Sequence, residues 1–189
     1  VLGFENLKLC HKMTFSYISS NYIEYIKLLD SLFNYIIYET DKKITYRPYP
    51  KRNAWNSIAR IKLQYQNQIM IDNTQKFLKS INNYNLIICT YPQTTFSECL
   101  YNNIPVILLF DPTVWKVDEN FRELLNEMIK LKMIHVNIES FKSFYSQYSG
   151  NILSYWMKKD VQNLIKKYND VCLGVNFNSY KVWEEIFKI

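Results

Sequence analysis

Apolar residues recur along this chain with two different periods, and the alternation between them lays out the fold. In residues 21–38, Ile23, Ile26, Leu29, Phe33, Ile36 and Ile37 stand three and four positions apart, which predicts an amphipathic helix entered from Ser19-Ser20-Asn21. Residues 43–46 then read as a short strand, stopped by Pro48 and Pro50. A helix is expected over about 53–64 and a strand over 69–71. Asp72-Asn73-Thr74 follows as a helix start, with Gln75 placed for a cap and Phe77, Leu78 and Ile81 carrying the helix onward. The run 86–89 is apolar and ends abruptly in Thr90-Tyr91-Pro92-Gln93-Thr94-Thr95. A short helix opening Thr95-Phe96-Ser97-Glu98 and a buried strand at 105–110 complete a parallel βαβ unit. Further on, Phe121, Leu124, Leu125 and Met128 share one face of a helix over 119–131, and 133–136 reads as another strand. Helices follow at about 139–147, 151–168 and 177–187, with Tyr148-Ser149-Gly150 as a loop inside the domain. Strands alternating with helices predict an α/β fold, a doubly wound and mainly parallel sheet with extra helices at its C-terminal end, in one domain over 1–189.

Composition narrows the class without choosing a function. At 189 residues, 48% hydrophobic and 21% charged, the chain is a globular domain with enough apolar mass for a full core. A net charge of +6 and a pI near 9.0 favour an anionic partner, yet do not separate nucleotide, nucleic acid and lipid. Cys10, Cys89, Cys99 and Cys172 are scattered and form no C-x-x-C pair, so neither a zinc site nor a disulfide framework is indicated. Cys89 in a strand and Cys99 in a helix have the setting of buried reduced thiols, which fits a cytoplasmic compartment. The longest apolar run, near 104–110, is too short to span a bilayer, and no secretory leader is expected. The first residue is Val rather than Met, which suggests a piece of something longer. Glycine occurs only at 3, 150 and 174, and no P-loop or Rossmann fingerprint can be assembled from those positions. His11 and His135 have no nucleophile or acid at a recognisable spacing, so no catalytic role falls to either. The tyrosines are spread through the chain rather than gathered with basic residues, and nucleic acid is not the expected partner.

The richest chemistry lies in the turn after 86–89, at the carboxyl end of its strand, where open α/β sheets bind ligands. The amides of Thr95, Phe96 and Ser97 are then free donors of a helix N-terminus, suited to a phosphate or a sugar hydroxyl. Thr95-x-x-Glu98 fits a capping box equally well, with both side chains spent on their own helix. Both readings stand at the level of the sequence.

Five elements occur in order: Tyr46-Arg47-Pro48-Tyr49-Pro50, Trp55, Thr90-Tyr91-x-x-Thr94-Thr95-Phe96-x-Glu98, Asn103-Ile104-Pro105 and Asp111-Pro112-x-x-Trp115. The ordered set resembles a family of bacterial transferases of surface-carbohydrate and lipopolysaccharide synthesis, which look like two-domain GT-B glycosyltransferases. The likeness runs from about Ser19 to the C-terminal helix. It implies that this chain is the Rossmann-like, nucleotide-sugar-binding half, with a preceding half that carries the acceptor site and the catalytic base. One departure is Lys51-Arg52-Asn53-Ala54 before Trp55, where the family commonly has an acidic residue and a glycine.

What the resemblance implies for the residues follows from the chemistry of glycosyl transfer, which leaves a diphosphate with new negative charge. Fixed cations and helix-end amides can stabilise that charge, so no metal and no cofactor are expected. Arg47 is the first candidate, because its planar fork suits a phosphate, although it can equally pair with a structural carboxylate. Arg52 adds positive charge nearby; Thr90, Gln93, Thr94 and Thr95 supply hydroxyl, amide and carboxamide donors; Glu98 accepts from a ribose or sugar hydroxyl; Asp111 and Trp115 line the same edge from the next strand. The expected partners are a nucleotide-sugar donor, a glycan or lipid-linked acceptor, and peripheral contact with the inner membrane. Three alternatives remain: a sugar epimerase, a polyol-phosphate transferase, and a non-enzymatic basic module that docks on an anionic membrane or a partner protein. Basic residues gathered at the carboxyl edge of the sheet favour donor binding; a broad basic face elsewhere favours docking.

Overall fold

A computed structural model describes residues 1–3, 19–49, 56–66, 68–74, 77–92, 94–111 and 117–174. The order is α1 (Ser19–Glu39), β1 (Ile44–Tyr46), α2 (Ser57–Tyr65), β2 (Ile69–Ile71), α3 (Phe77–Ser80) running into a 3-10 turn (Ile81–Asn83), β3 (Ile87–Cys89), α4 (Thr94–Tyr101) and β4 (Val106–Leu109). Then come α5 (Glu119–Lys130), β5 (Ile134–His135), α6 (Ile138–Tyr148), α7 (Ile152–Trp156) and α8 (Lys159–Leu173). The expected helix at 177–187 lies outside the described residues.

Strands β1 and β2 pair in parallel, as do β3, β4 and β5 in that order. Leu2 joins the two groups. It bridges Arg47 on one side and Cys89 on the other, both in parallel, through Leu2 N–H to the Ile88 carbonyl at 2.8 Å and Gly3 N–H to the Arg47 carbonyl at 3.0 Å. With the Leu2 segment counted as the first strand, the sheet runs third, second, first, fourth, fifth, sixth. That is the order of the doubly wound Rossmann fold, and its direction reverses between Leu2 and β3.

The core follows from continuous apolar strands covered on both faces, as parallel sheets require. All four residues of β4 are buried. On one face Phe33 of α1 meets Tyr46 and Tyr65 edge-on, with centroids 5.8 and 5.4 Å apart. On α1 the buried stripe includes Tyr22, Tyr25 and Leu32, while Ile23 is 57% exposed, so tyrosines displace the expected isoleucine from the inward face. Tyrosine can do this because its ring packs like a hydrophobe while its hydroxyl finds a partner.

Two further expectations are corrected. The helix over 151–168 is two helices, α7 and α8, with extended backbone at Lys158 between them. Trp156, fully buried, donates its indole N–H to Asn103 Oδ1 at 2.8 Å, and Gln162 of α8 donates to the same oxygen at 3.1 Å and to the Trp156 carbonyl at 2.8 Å, so both helices are held at Asn103 where the chain breaks between them. Among the described residues, the helix through Phe77 and Ile81 is a single turn that tightens into 3-10 geometry. Asp72 Oδ1 accepts the Thr74 amide at 2.8 Å, closing a local turn at the end of β2.

Candidate functional site

The carboxyl ends of the strands carry Asp72, Arg47, Gly3, Thr90 and Asp111, in their order across the sheet. Arg47 and the Thr90 turn stand on either side of the Leu2 segment, two strand spacings or roughly 10 Å apart. This edge is the crevice where a doubly wound sheet receives a ligand.

Gly3 is the last described residue of the central segment, and its missing side chain has a use: a Cβ there would overlap the hydroxyl end of the Tyr46 ring. Tyr46 is fully buried and donates to Ser57 Oγ at 3.2 Å, so the ring is fixed. Thr90 is also inside the fold. Only 1% exposed, its hydroxyl donates to the Leu2 carbonyl at 2.8 Å and meets the Tyr25 hydroxyl at 2.8 Å. The one hydroxyl proton of Thr90 thus holds the central strand to β3. Tyr25 completes this buried pair, and the sequence reading missed it for want of any signal beyond its helical phase.

Arg47 extends from the end of β1, where Nη1 donates to Asp72 Oδ2 at 3.0 Å and the guanidinium carbon lies 5.7 Å from the Phe77 ring centre. The carboxylate partner weighed for Arg47 is thus present, and it is Asp72, 6% exposed against 19% for the Arg47 side chain. Burial by itself would raise the Asp72 carboxyl. Bonds from the Thr74 side chain and amide, then from Ser80 and Arg47, outweigh it and bring the pKa down to about 2. Arg47 and Asp72 border a cavity of about 380 Å³ with Phe77, Ser80 and Tyr84.

Beyond Thr90 the chain enters α4 at Thr94, so Thr95 lies within the first turn. The capping box is corrected accordingly: Thr95 is the second helical position and Glu98 the fifth, each two residues beyond the place a capping box needs. Glu98 is half-buried, and its carboxylate makes no hydrogen bond to another described residue. Tyr91 is buried and hydrogen-bonded to the Thr95 side chain; burial first, then the neighbouring Cys89 and Tyr49, push its hydroxyl well up, against the pull of Thr95 and Arg47. The Arg47 charge therefore reaches the turn across the central strand. Ser97 is spent on the Tyr168 hydroxyl at 2.8 Å. Thr94 is exposed and borders a second, largely apolar cavity of about 500 Å³ between α4, α5 and α8. Arg47 and Thr94 thus share the edge but open onto different hollows.

Asp111 follows β4 on the same edge and is half-buried. Arg52, Gln93 and Trp115 lie outside the described residues, as do Lys51 and Trp55. The Asn103-Ile104-Pro105 element is at the opposite end of the sheet. Asn103 has a φ of 52°, and Ile104 N–H returns to the Cys99 carbonyl at 2.9 Å, so this element closes α4 and turns the chain into β4. His135 is fully buried, with Nδ1 against Ser140 Oγ at 2.9 Å, and burial followed by the nearby Lys132 lowers its pKa to about 4. Cys89 and Cys99 are buried, and burial raises both thiols. Among the described residues, no three His, Cys, Asp or Glu side chains gather as a metal site would need, and no helix is long and apolar enough to cross a membrane.

Fold and edge together define a doubly wound α/β protein with its crevice at the reversal of strand order. The chain belongs to the LIC12162 family of transferases, whose family model matches residues 2–187. No curated protein and no solved structure matches it.

Proposed function

We propose that the chain is the donor-binding domain of a GT-B-like glycosyltransferase in bacterial surface-carbohydrate assembly. The observation that carries this reading is the position of Arg47 and the first turn of α4 on opposite sides of the strand-order reversal. In this reading the diphosphate of a nucleotide-sugar lies along the edge, its charge met by the Arg47 fork and the first-turn amides of α4. Thr94 and Thr95 add polar contacts, and the uncommitted Glu98 carboxylate accepts a ribose or sugar hydroxyl. Asp111 lies farther along the same edge, and Arg52, Gln93 and Trp115 are the remaining donor contacts this reading expects. Departure of the sugar leaves extra charge on the diphosphate, and the same fixed donors stabilise it more strongly as it develops. The acceptor site and catalytic base belong to a further half of the enzyme, so the 189-residue chain binds donor without completing transfer.

Calorimetry of the folded chain against UDP, GDP, ADP and CMP and the corresponding sugar conjugates tests this reading. Binding of at least one is expected, weakened about tenfold or more in Arg47→Ala, the loss anticipated for one charge-assisted bond. The fold should tolerate that substitution, because Asp72 keeps its bonds from Thr74 and Ser80. A folded chain that binds none of these ligands overturns the proposal.

A further inference from the structure

We infer that Asp72 is the positioning residue for Arg47, holding the guanidinium by one nitrogen so that its remaining donors meet the phosphate of the ligand already oriented. This deepens the donor-binding reading and rests on it.

The two residues are locked together at the level of the backbone, since Asp72 N–H donates to the Tyr46 carbonyl at 2.9 Å beside Arg47. The carboxylate cannot swing, because its two oxygens are used differently. Oδ1 takes the Thr74 amide at 2.8 Å, and Oδ2 takes Arg47 Nη1 at 3.0 Å. Phe77 offers its ring to the guanidinium at 5.7 Å. Among the described residues Nη1 is the only Arg47 side-chain nitrogen with a hydrogen bond, which leaves Nε and Nη2 uncommitted. An arginine on a free stem loses rotamer freedom when it grips a phosphate; one already held against Asp72 has given up that freedom on folding. The arrangement makes Asp72 act through Arg47 and not on the ligand itself.

A double-mutant cycle separates this from a merely structural role. Asp72→Asn is the main variant, because its single carbonyl oxygen can replace only one of the two acceptors and can keep the Thr74 turn. Affinity for the tightest-binding nucleoside diphosphate of the panel is measured in wild type, Asp72→Asn, Arg47→Ala and the double variant, each with its unfolding curve. The expected result is a loss of about tenfold from Asp72→Asn when Arg47 is present and less than about twofold when it is absent. Equal losses in both backgrounds, or none in the first, overturn the proposal. A second measurement is independent of any ligand: rotation of the Arg47 guanidinium followed by side-chain nitrogen NMR. Slow rotation in wild type that becomes fast in Asp72→Asn upholds the clamp, and fast rotation in both overturns it. If wild type binds no nucleoside diphosphate while rotation is still freed by Asp72→Asn, the donor-binding reading falls and the clamp stands without that ligand.

Discussion

Replacing Asp72 with Asn should destabilise the protein by about 2 kcal/mol at neutral pH, and the deficit should disappear in acid. The magnitude follows from a carboxyl held at about 2 in the fold against 3.8 as its ordinary value, at about 1.4 kcal/mol for each pH unit. The folded state has the lower pKa, so the contribution is complete above about pH 4 and is lost as pH falls through about 2. Asparagine cannot titrate, so wild type and variant should differ by a constant amount from pH 7 to 5 and converge between pH 4 and 2. The Arg47 side chain is 19% exposed and can turn to water once its partner is neutral, so the cost should not grow to that of a fully buried orphan charge. Urea unfolding followed by tryptophan fluorescence, to which the buried Trp156 contributes, supplies the assay, repeated at each pH. A difference that persists unchanged to pH 2, or that is absent at pH 7, would refute the account of Asp72 as a carboxylate fixed in charged form by Thr74, Ser80 and Arg47.

Two further outcomes follow from buried positions. Wild-type stability should fall by about 3 kcal/mol between pH 6.5 and 4 through His135, whose neutral form is favoured by burial, and His135→Phe should remove that part of the slope in the same unfolding series. Gly3→Ala should cost about 1–3 kcal/mol or prevent folding, because the new methyl meets a tyrosine ring with no room to move; thermal unfolding of the variant, compared with Gly150→Ala where nothing lies within 4 Å, gives the measurement.

Most elements were legible because each carries its own period. The strand at Ile69–Ile71 stands at the expected bounds, and α1, β4, α5 and α6 lie within a residue or two of theirs. The failures share a cause. Val1–Gly3 is a strand only by virtue of neighbours on both sides, α7 and α8 separate because Trp156 is pinned to a residue 53 positions away, and Tyr25 turns inward because the buried Thr90 hydroxyl awaits it, with the Tyr22 ring stacked beside it. None of these leaves a local trace. At the site, the sequence placed Arg47, Thr94, Thr95 and Asp111 at strand ends, and the fold sets those ends along one edge. It gave no hint of which polar groups would be used up internally: Thr90 and Ser97 are spent on the fold, and Asp72, read as an ordinary helix start, is the partner of Arg47.

By itself, then, the sequence determined the alternation of strands and helices, the buried setting of Cys89 and Cys99, and a concentration of hydroxyl and charged residues where strands end. Those properties are local, since periodicity, turn chemistry and composition act over a few residues. Only the tertiary structure decided the order of the strands, and with it the place of the crevice, because strand order depends on which segments pair across gaps of some 40 to 90 residues. It also decided which side chains remain available to a ligand. A hydroxyl or carboxylate is free or spent according to what the fold brings within 3 Å of it, and that is set by contacts distant in the chain.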